Sequence, residues 1–205
     1  LKNFMSKKIA ILGAGGHGKV VGEIANLNNF KKIDFFDDVI DTKKKSNFPF
    51  NIKGTSKDLN NNFKNYDTFF VAIGDNKIRF KKMRWLRDNN LKIVNLIHPA
   101  STISKLSFLD IGICVMANAV INPGTYIGEG AIINTSSSID HDCIIKNFVH
   151  ISPNCSLSGN VKVGNFSHLG TATSIHPGIN VGNNVKTGVG SRVFKNILNN
   201  IVYTK

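Results

Sequence analysis

No run in this chain approaches the roughly 20 apolar residues that span a bilayer, and no segment has the form of a secretory signal. A helical membrane protein is therefore excluded, and a cytoplasmic location without membrane insertion is expected. Cysteine is scarce: Cys114, Cys143 and Cys155 form no CxxC pair, and an odd count argues against a disulfide framework. No metal site is expected. Acidic residues are few, 13 against 26 Lys and Arg, which leaves a net charge of +13. The lysines are scattered, apart from the short runs 31–32, 43–45 and 81–82, and no run is interleaved with aromatics as a base-stacking surface is. Nucleic acid is accordingly not the expected partner. Much of the lysine excess accompanies an excess of asparagine (27 residues), and the charge suits attraction of phosphate-bearing small molecules.

What is present divides into two periods. With 205 residues, 41% of them hydrophobic, the chain has enough apolar mass for one large domain or two small ones. Met5 before Ser-Lys-Lys has the look of a natural start, with residues 1–4 an extension. Residues 8–12 form an apolar run that ends at glycine, as a buried parallel strand does. Residues 18–28 carry Val20, Val21, Ile24, Ala25 and Leu27 at helical spacing. Residues 33–36 and 69–73 read as strands, 78–89 as a basic helix and 91–97 as a final strand. That alternation predicts a small parallel α/β domain over residues 5–98. The polar, asparagine-rich stretch 42–65 gives no clear element.

From residue 103 the period becomes six. Ile103, Leu109, Val115, Ile121, Ile127, Ile133, Ile139, Ile145, Ile151, Leu157, Val163, Leu169, Ile175, Val181, Thr187 and Val193 are aliphatic at fifteen of sixteen positions. Four residues after each comes a small or β-branched residue, from Ser107 through Cys143 and Cys155 to Ser191. Neither a helix nor an ordinary strand has this period; a coil of three flat six-residue faces does, with the aliphatic position turned inward on each. A parallel β-helix over residues 99–205 is predicted. Cys143 and Cys155 then fill small interior slots, and Gly128, Gly164, Gly170, Gly182 and Gly188 suit corners that need unusual backbone angles.

Eighteen residues per coil sets which polar residues stack, one strand spacing of about 4.8 Å apart. His150 and His168 are expected one above the other at a corner, and His141 beneath Gly159. Asn134, seven residues before His141, approaches it only around a corner. A histidine between Asp140 and Asp142 is a plausible general base, because nearby negative charge favours its protonated form. The alternative is a histidine that merely decorates a corner. His176 and His98, each beside a proline, look structural.

The loop Gly13-Ala-Gly-Gly-His-Gly18 lies between a strand and a helix, where backbone N–H groups and the helix N-terminus receive phosphate. Asp37 and Asp38 end the next apparent strand, nineteen and twenty residues past Gly18, where an acidic side chain accepts from a ribose hydroxyl. A dinucleotide dehydrogenase is the obvious alternative. Against it, the α/β segment of about 90 residues is roughly half of a two-lobed dinucleotide fold.

Several motifs resemble one family. Asn134-Thr-Ser-Ser-Ser-Ile-Asp-His-Asp-Cys143, Phe148-Val-His-Ile151, Leu157-Ser-Gly-Asn-Val161, Ile11-Leu-Gly-Ala-Gly-Gly-His-Gly18, Phe36-Asp-Asp38 and Val71-Ala-Ile-Gly-Asp-Asn76 together resemble hexapeptide-repeat sugar acetyltransferases. The nearer branch N-acetylates nucleotide-linked 4-amino-4,6-dideoxy sugars and includes sialic acid O-acetyltransferase-like relatives. The resemblance implies a Rossmann-like α/β N-terminal domain and a left-handed β-helix. It implies acetyl-CoA as co-substrate, a homotrimer with coenzyme between neighbouring helices, and a role in precursors for surface glycans or protein glycosylation.

It further implies His141 as base with Asp142 raising its basicity, Asn134 orienting the site and the Gly159 amide near the thioester oxygen. His150, Gly159, Thr171 and Val189 are implied contacts to the coenzyme. Gly15 and Gly16 are placed near the pyrophosphate of a nucleotide-diphosphate amino sugar, and Asp37, Asp38 and Gly74 near its nucleoside. Some members carry glutamate at the position of Asp142. His17 faces the sugar or caps the helix. O-acetylation of sialic acid or CMP-sialic acid is the second enzymatic reading, and a nucleotide-sensing β-helix without chemistry the third. The sequence ends at Lys205, soon after the last coil, so a tail closing the coenzyme site is an open expectation.

Overall fold

The computed structural model describes residues 7–39 and 48–204. The proposed start at Met5, the lysine run 43–45 and any tail beyond Lys205 lie outside them. The chain divides into two compact units, Leu1–Leu96 and Ile97–Lys205.

In the first unit β1 (Lys8–Leu12), β2 (Lys32–Phe36), β3 (Asn51–Gly54) and β4 (Thr68–Val71) form one parallel sheet in the order β3-β2-β1-β4. β1 is central, and Ile9, Ala10, Ile11 and Leu12 are buried because helices cover both faces of such a sheet. α1 (Gly16–Leu27) follows β1 and α3 (Asn76–Asp88) follows β4, with α2 (Ser56–Asn60) between β3 and β4. Each long helix is followed by an asparagine in the left-handed region, Asn29 (φ 63°) and Asn90 (φ 55°), a residue that tolerates that conformation. The chain leaves β1 toward β2 and β3, then returns to the other side of β1 as β4. The carboxyl ends of β1 and β4 are therefore a topological switch point, where ligands of open α/β sheets bind.

Two elements differ from expectation. The polar stretch holds β3 and α2, and α2 starts with a reciprocal capping box between Thr55 and Asp58. The expected strand 91–97 reduces to one parallel bridge, Phe69 to Ile93, and a two-residue strand, Leu96–Ile97.

The second unit is the parallel β-helix. Two-residue strands stack in three sheets with partners eighteen residues apart, as in Ile121 to Ile139, Leu157 and Ile175, until the last coil, where Lys186 pairs with Val202 sixteen residues on. From Ile121 to Ile175 every sixth side chain is at most 2% exposed, each contributing roughly 1.5–3 kcal/mol of burial. The slot four residues on is polar as well as small. Thr125, Ser137 and Ser167 each donate a hydroxyl to the main-chain carbonyl fifteen residues later, at 2.7–2.9 Å. Cys143 and Cys155 occupy the same slot, their thiols directed at the carbonyls of Ser158 and Gly170. Thr187, the one exception in the aliphatic ladder, satisfies its buried hydroxyl against Thr173 Oγ1 (2.7 Å) and the Gly170 N–H (2.8 Å).

The expected reason for the corner glycines is wrong. Left-handed backbone falls three residues after the aliphatic position, at Asn118, Ser136, Asp142, Phe148, Asn154, Asn160, Phe166, Ala172 and Asn184 among others. Gly128, Gly164, Gly170, Gly182 and Gly188 do not have positive φ. A Cβ at Gly164 would lie 2.5 Å from the main chain of Gly182 in the next coil; close stacking, not backbone angle, excludes a side chain there.

Candidate active site

His141 lies at a corner between two carboxylates. Its main-chain N–H donates to Asp140 Oδ1 (2.8 Å), and its Nδ1 is 2.8 Å from Asp142 Oδ2. Asp142 occupies the left-handed corner position (φ 58°), which aspartate tolerates. The bond to Asp142, then the charge of Asp140, raises the pKa of His141 above 6.5. The imidazole is half exposed in the single chain. Gly159 sits above it: a Cβ there would come within 2.5 Å of Cε1 and Nε2. The Gly159 N–H has no hydrogen-bond partner among the described residues.

Asn134 does not join this dyad. Its Nδ2 is 3.4 Å from His150 Nε2, and no hydrogen bond links it to His141 among the described residues. His150 and His168 do stack, with ring centroids 4.4 Å apart and planes 10° from parallel. They lie on a flat face within strands, not at a corner, because each immediately precedes the inward aliphatic residue. His168 Nε2 meets Ser152 Oγ at 3.0 Å. His168, Thr171, Lys186, Gly188 and Val189 line a cavity of about 370 Å³, so Thr171 and Val189 share one pocket with His168, above His150. His98 accepts from the Ala100 N–H, and His176 Nδ1 faces the Pro177 carbonyl, local backbone contacts that fit a structural role. Burial pushes the thiols of Cys143 and Cys155 up to about 11, which keeps them protonated and poorly nucleophilic.

The first unit has its own pocket, about 440 Å³, at the switch point. Gly15, Gly16, His17, Asp37, Asp38 and Gly74 all line it. Gly15 and Gly16 open α1, whose first amides have no partner within the helix, the arrangement that suits an anion. Burial first, then the Arg79 guanidinium, lowers His17 to about 4, so the ring is neutral. Its buried Nε2 finds no hydrogen-bond partner among the described residues and can bond a ligand without adding charge. Arg79 itself is buried and ties down the β4–α3 turn through the carbonyls of Ile73 (2.9 Å) and Gly74 (3.0 Å).

The two aspartates differ. Asp37 is committed to the loop, accepting from the Ala14 N–H (2.7 Å) and the Val39 N–H (2.8 Å). Asp38 pairs with Lys82 and accepts from the Ser56 N–H (2.8 Å). Burial works against its ionisation, but Lys82 and Ser56 outweigh that and hold the carboxyl below its usual range. Lys82 and Ser56 were not anticipated from the sequence. The Thr55–Asp58 capping pattern and the basic face of α3 were their available signals.

Residues 8–86 match the PglD N-terminal domain. Over nearly its whole length the chain resembles the acetyltransferase domain of PglB from Neisseria gonorrhoeae FA1090, solved with acetyl coenzyme A: 36% identity, TM-score 0.92, covering 98% of this chain and 97% of that one. This chain belongs to the hexapeptide-repeat sugar acetyltransferase family. It is an acetyltransferase, with the family's Rossmann-like α/β unit and left-handed parallel β-helix. It is also similar to PerB from Caulobacter crescentus, solved with CoA and GDP-perosamine, at 32% identity and TM-score 0.90 over 97% of this chain and 94% of that one. A further relative is the GDP-perosamine N-acetyltransferase of Escherichia coli O157:H7, 26% identical over 78% of this chain and 74% of the relative. Among the described residues of this acetyltransferase no helix is long and apolar enough to cross a membrane.

Proposed function

We propose that the enzyme transfers an acetyl group from acetyl-CoA to the 4-amino group of a nucleotide-linked 4-amino-4,6-dideoxy sugar, a precursor for surface glycans or protein glycosylation. The observation that carries this reading is the His141–Asp142 dyad beside the unpaired Gly159 amide. The sugar nitrogen attacks the thioester carbonyl while the unprotonated His141 nitrogen accepts its proton. The Gly159 N–H faces the oxyanion as charge develops. The C–S bond then breaks, and the proton on His141 passes to the departing thiolate. Transfer is direct, since no buried thiol serves as a nucleophile.

Gly15, Gly16 and His17 hold the diphosphate end of the substrate, with Asp37, Asp38 and Gly74 near the nucleoside. His150, Thr171 and Val189 contact the coenzyme, and Asn134 orients His150. A single β-helix presents broadly convex faces, so a cytoplasmic homotrimer supplies a second wall to the shallow cavity lined by His168, Thr171 and Val189. PglB bound to acetyl-CoA and PerB bound to GDP-perosamine support this assignment. A thiol-release assay against UDP-, dTDP- and GDP-linked amino sugars tests it. Acetyl-CoA-dependent release with one of these substrates is expected; no release with any of them contradicts the reading.

A further inference from the structure

Residues 140–143 are held from the preceding coil by the coil's repeating bonds and by one side chain of their own, Asn122. Asn122 Nδ2 donates to Asp140 Oδ1 at 3.0 Å, the same oxygen that accepts the His141 N–H at 2.8 Å. Thr125 Oγ1 donates to the Asp140 carbonyl (2.8 Å) and accepts from the Cys143 N–H (3.2 Å). The Asp142 N–H donates to the Pro123 carbonyl (3.1 Å). Gly124 leaves room for the Asp142 carboxylate, since a Cβ there would lie 2.3 Å from its Oδ1. Asn122 and Asp140 are eighteen apart, so the pair crosses one rung and its geometry is set by the coil itself.

Among the described residues of its own coil and its two neighbours, the titratable groups facing His141 are Asp140 and Asp142 on its own turn. The coil on one side offers Asn122, Pro123 and Gly124, and the coil on the other Ser158, Gly159 and Asn160, none of which titrates. Cys143, next along, is held protonated by burial. Asp142 is exposed and touches the ring directly, whereas Asp140 touches His141 through its main-chain N–H. A base that swings about its side-chain bonds loses its aim, and a misplacement of about 1 Å costs on the order of a hundredfold in rate.

We propose that Asp140 is a positioning residue for the base: clamped by Asn122, it fixes the main chain at His141 and sets a second carboxylate beside the ring. The proposal rests on His141 being the base. Asn122 is the group that ties the Asp140 carboxylate to the neighbouring coil at the oxygen that accepts the His141 N–H.

The test uses the full chain in the thiol-release assay at saturating acetyl-CoA, comparing D140A, D140N, N122A and H141A. D140A is expected to lose roughly tenfold to a hundredfold in kcat with KM within about twofold, and N122A to fall in the same direction by less. D140N keeps an acceptor for the His141 N–H but loses the charge. It is expected to recover part of kcat while its acidic limb moves to lower pH. NMR titration of the His141 ring in unliganded D140N reads the same shift without activity, and serves if D140A does not fold. Wild-type kcat in D140A, or a D140N limb and ring titration identical to wild type, overturns the proposal. An H141A enzyme that keeps its turnover overturns the base assignment itself, whereas an inactive H141A beside a fully active D140A removes only Asp140.

Discussion

His141 and Gly159 are eighteen residues apart in sequence and one rung apart in space, so close that a methyl group on Gly159 would sit 2.5 Å from two atoms of the imidazole. The base is thus held from above by the absence of a side chain, and from the side by Asp142.

Replacing Gly159 by alanine therefore forces the imidazole aside. A drop in kcat of about a hundredfold is expected from misalignment, with near-normal thermal unfolding because the corner is at the surface. Steady-state kinetics of G159A beside its melting curve checks this; unchanged kcat would show that the ring position is unimportant.

The pH dependence follows from the direction of the His141 shift. Asp142 and Asp140 favour imidazolium, raising the pKa above 6.5, and a base works only when unprotonated. Activity is expected to rise with pH through an apparent pKa above the ordinary histidine value. D142N removes the carboxylate hydrogen-bonded to the ring and moves that limb to lower pH with reduced plateau activity. A pH profile of kcat for both proteins measures the shift and its sign.

In the N-terminal pocket Lys82 holds Asp38 and Ser56 together, the Lys82 Nζ to Ser56 Oγ distance being 2.9 Å. K82A is expected to raise KM for the nucleotide sugar about tenfold, equivalent to ~1.4 kcal/mol, while KM for acetyl-CoA stays unchanged. Equal effects on both substrates would place Lys82 outside the sugar-nucleotide site.

Direct transfer is tested through the cysteines. Serine fits the interior slot, as Ser137 and Ser167 already do, with its hydroxyl on the same carbonyl fifteen residues ahead. The C143S/C155S double variant is expected to keep turnover within about threefold, because a neutral hydrogen bond replaces a weak one. Loss of activity in a folded double variant would point to a covalent thiol.

Much of this was legible in the sequence, because a period of six leaves one arrangement for the aliphatic side chains and fixes which residues stack. The His141–Gly159 and His150–His168 neighbours follow from that arithmetic alone. Side-chain direction does not: the count placed the histidine pair at a corner, whereas the residue before each aliphatic position belongs to a face. Asn134 met His150, because Ile132–Ile133 before it pair with His150–Ile151 in one sheet. The corner glycines were misread because the left-handed turns fall elsewhere in the coil, on asparagine, serine, aspartate and even phenylalanine as well as on other glycines, while Gly128, Gly164, Gly170 and Gly182 mark crowding between coils. In the N-terminal unit the loop was visible from its glycines, but Lys82 and Ser56 reach the pocket from segments distant in sequence. The capping pattern around Ser56 and the basic face of α3 mark each residue locally, but not that the two meet.

The most direct measurement is the rate of thiol release from acetyl-CoA by H141A with the preferred nucleotide amino sugar. Loss of general-base catalysis lowers kcat by roughly two to four decades while the protein stays folded. A folded H141A enzyme with wild-type kcat would contradict the account.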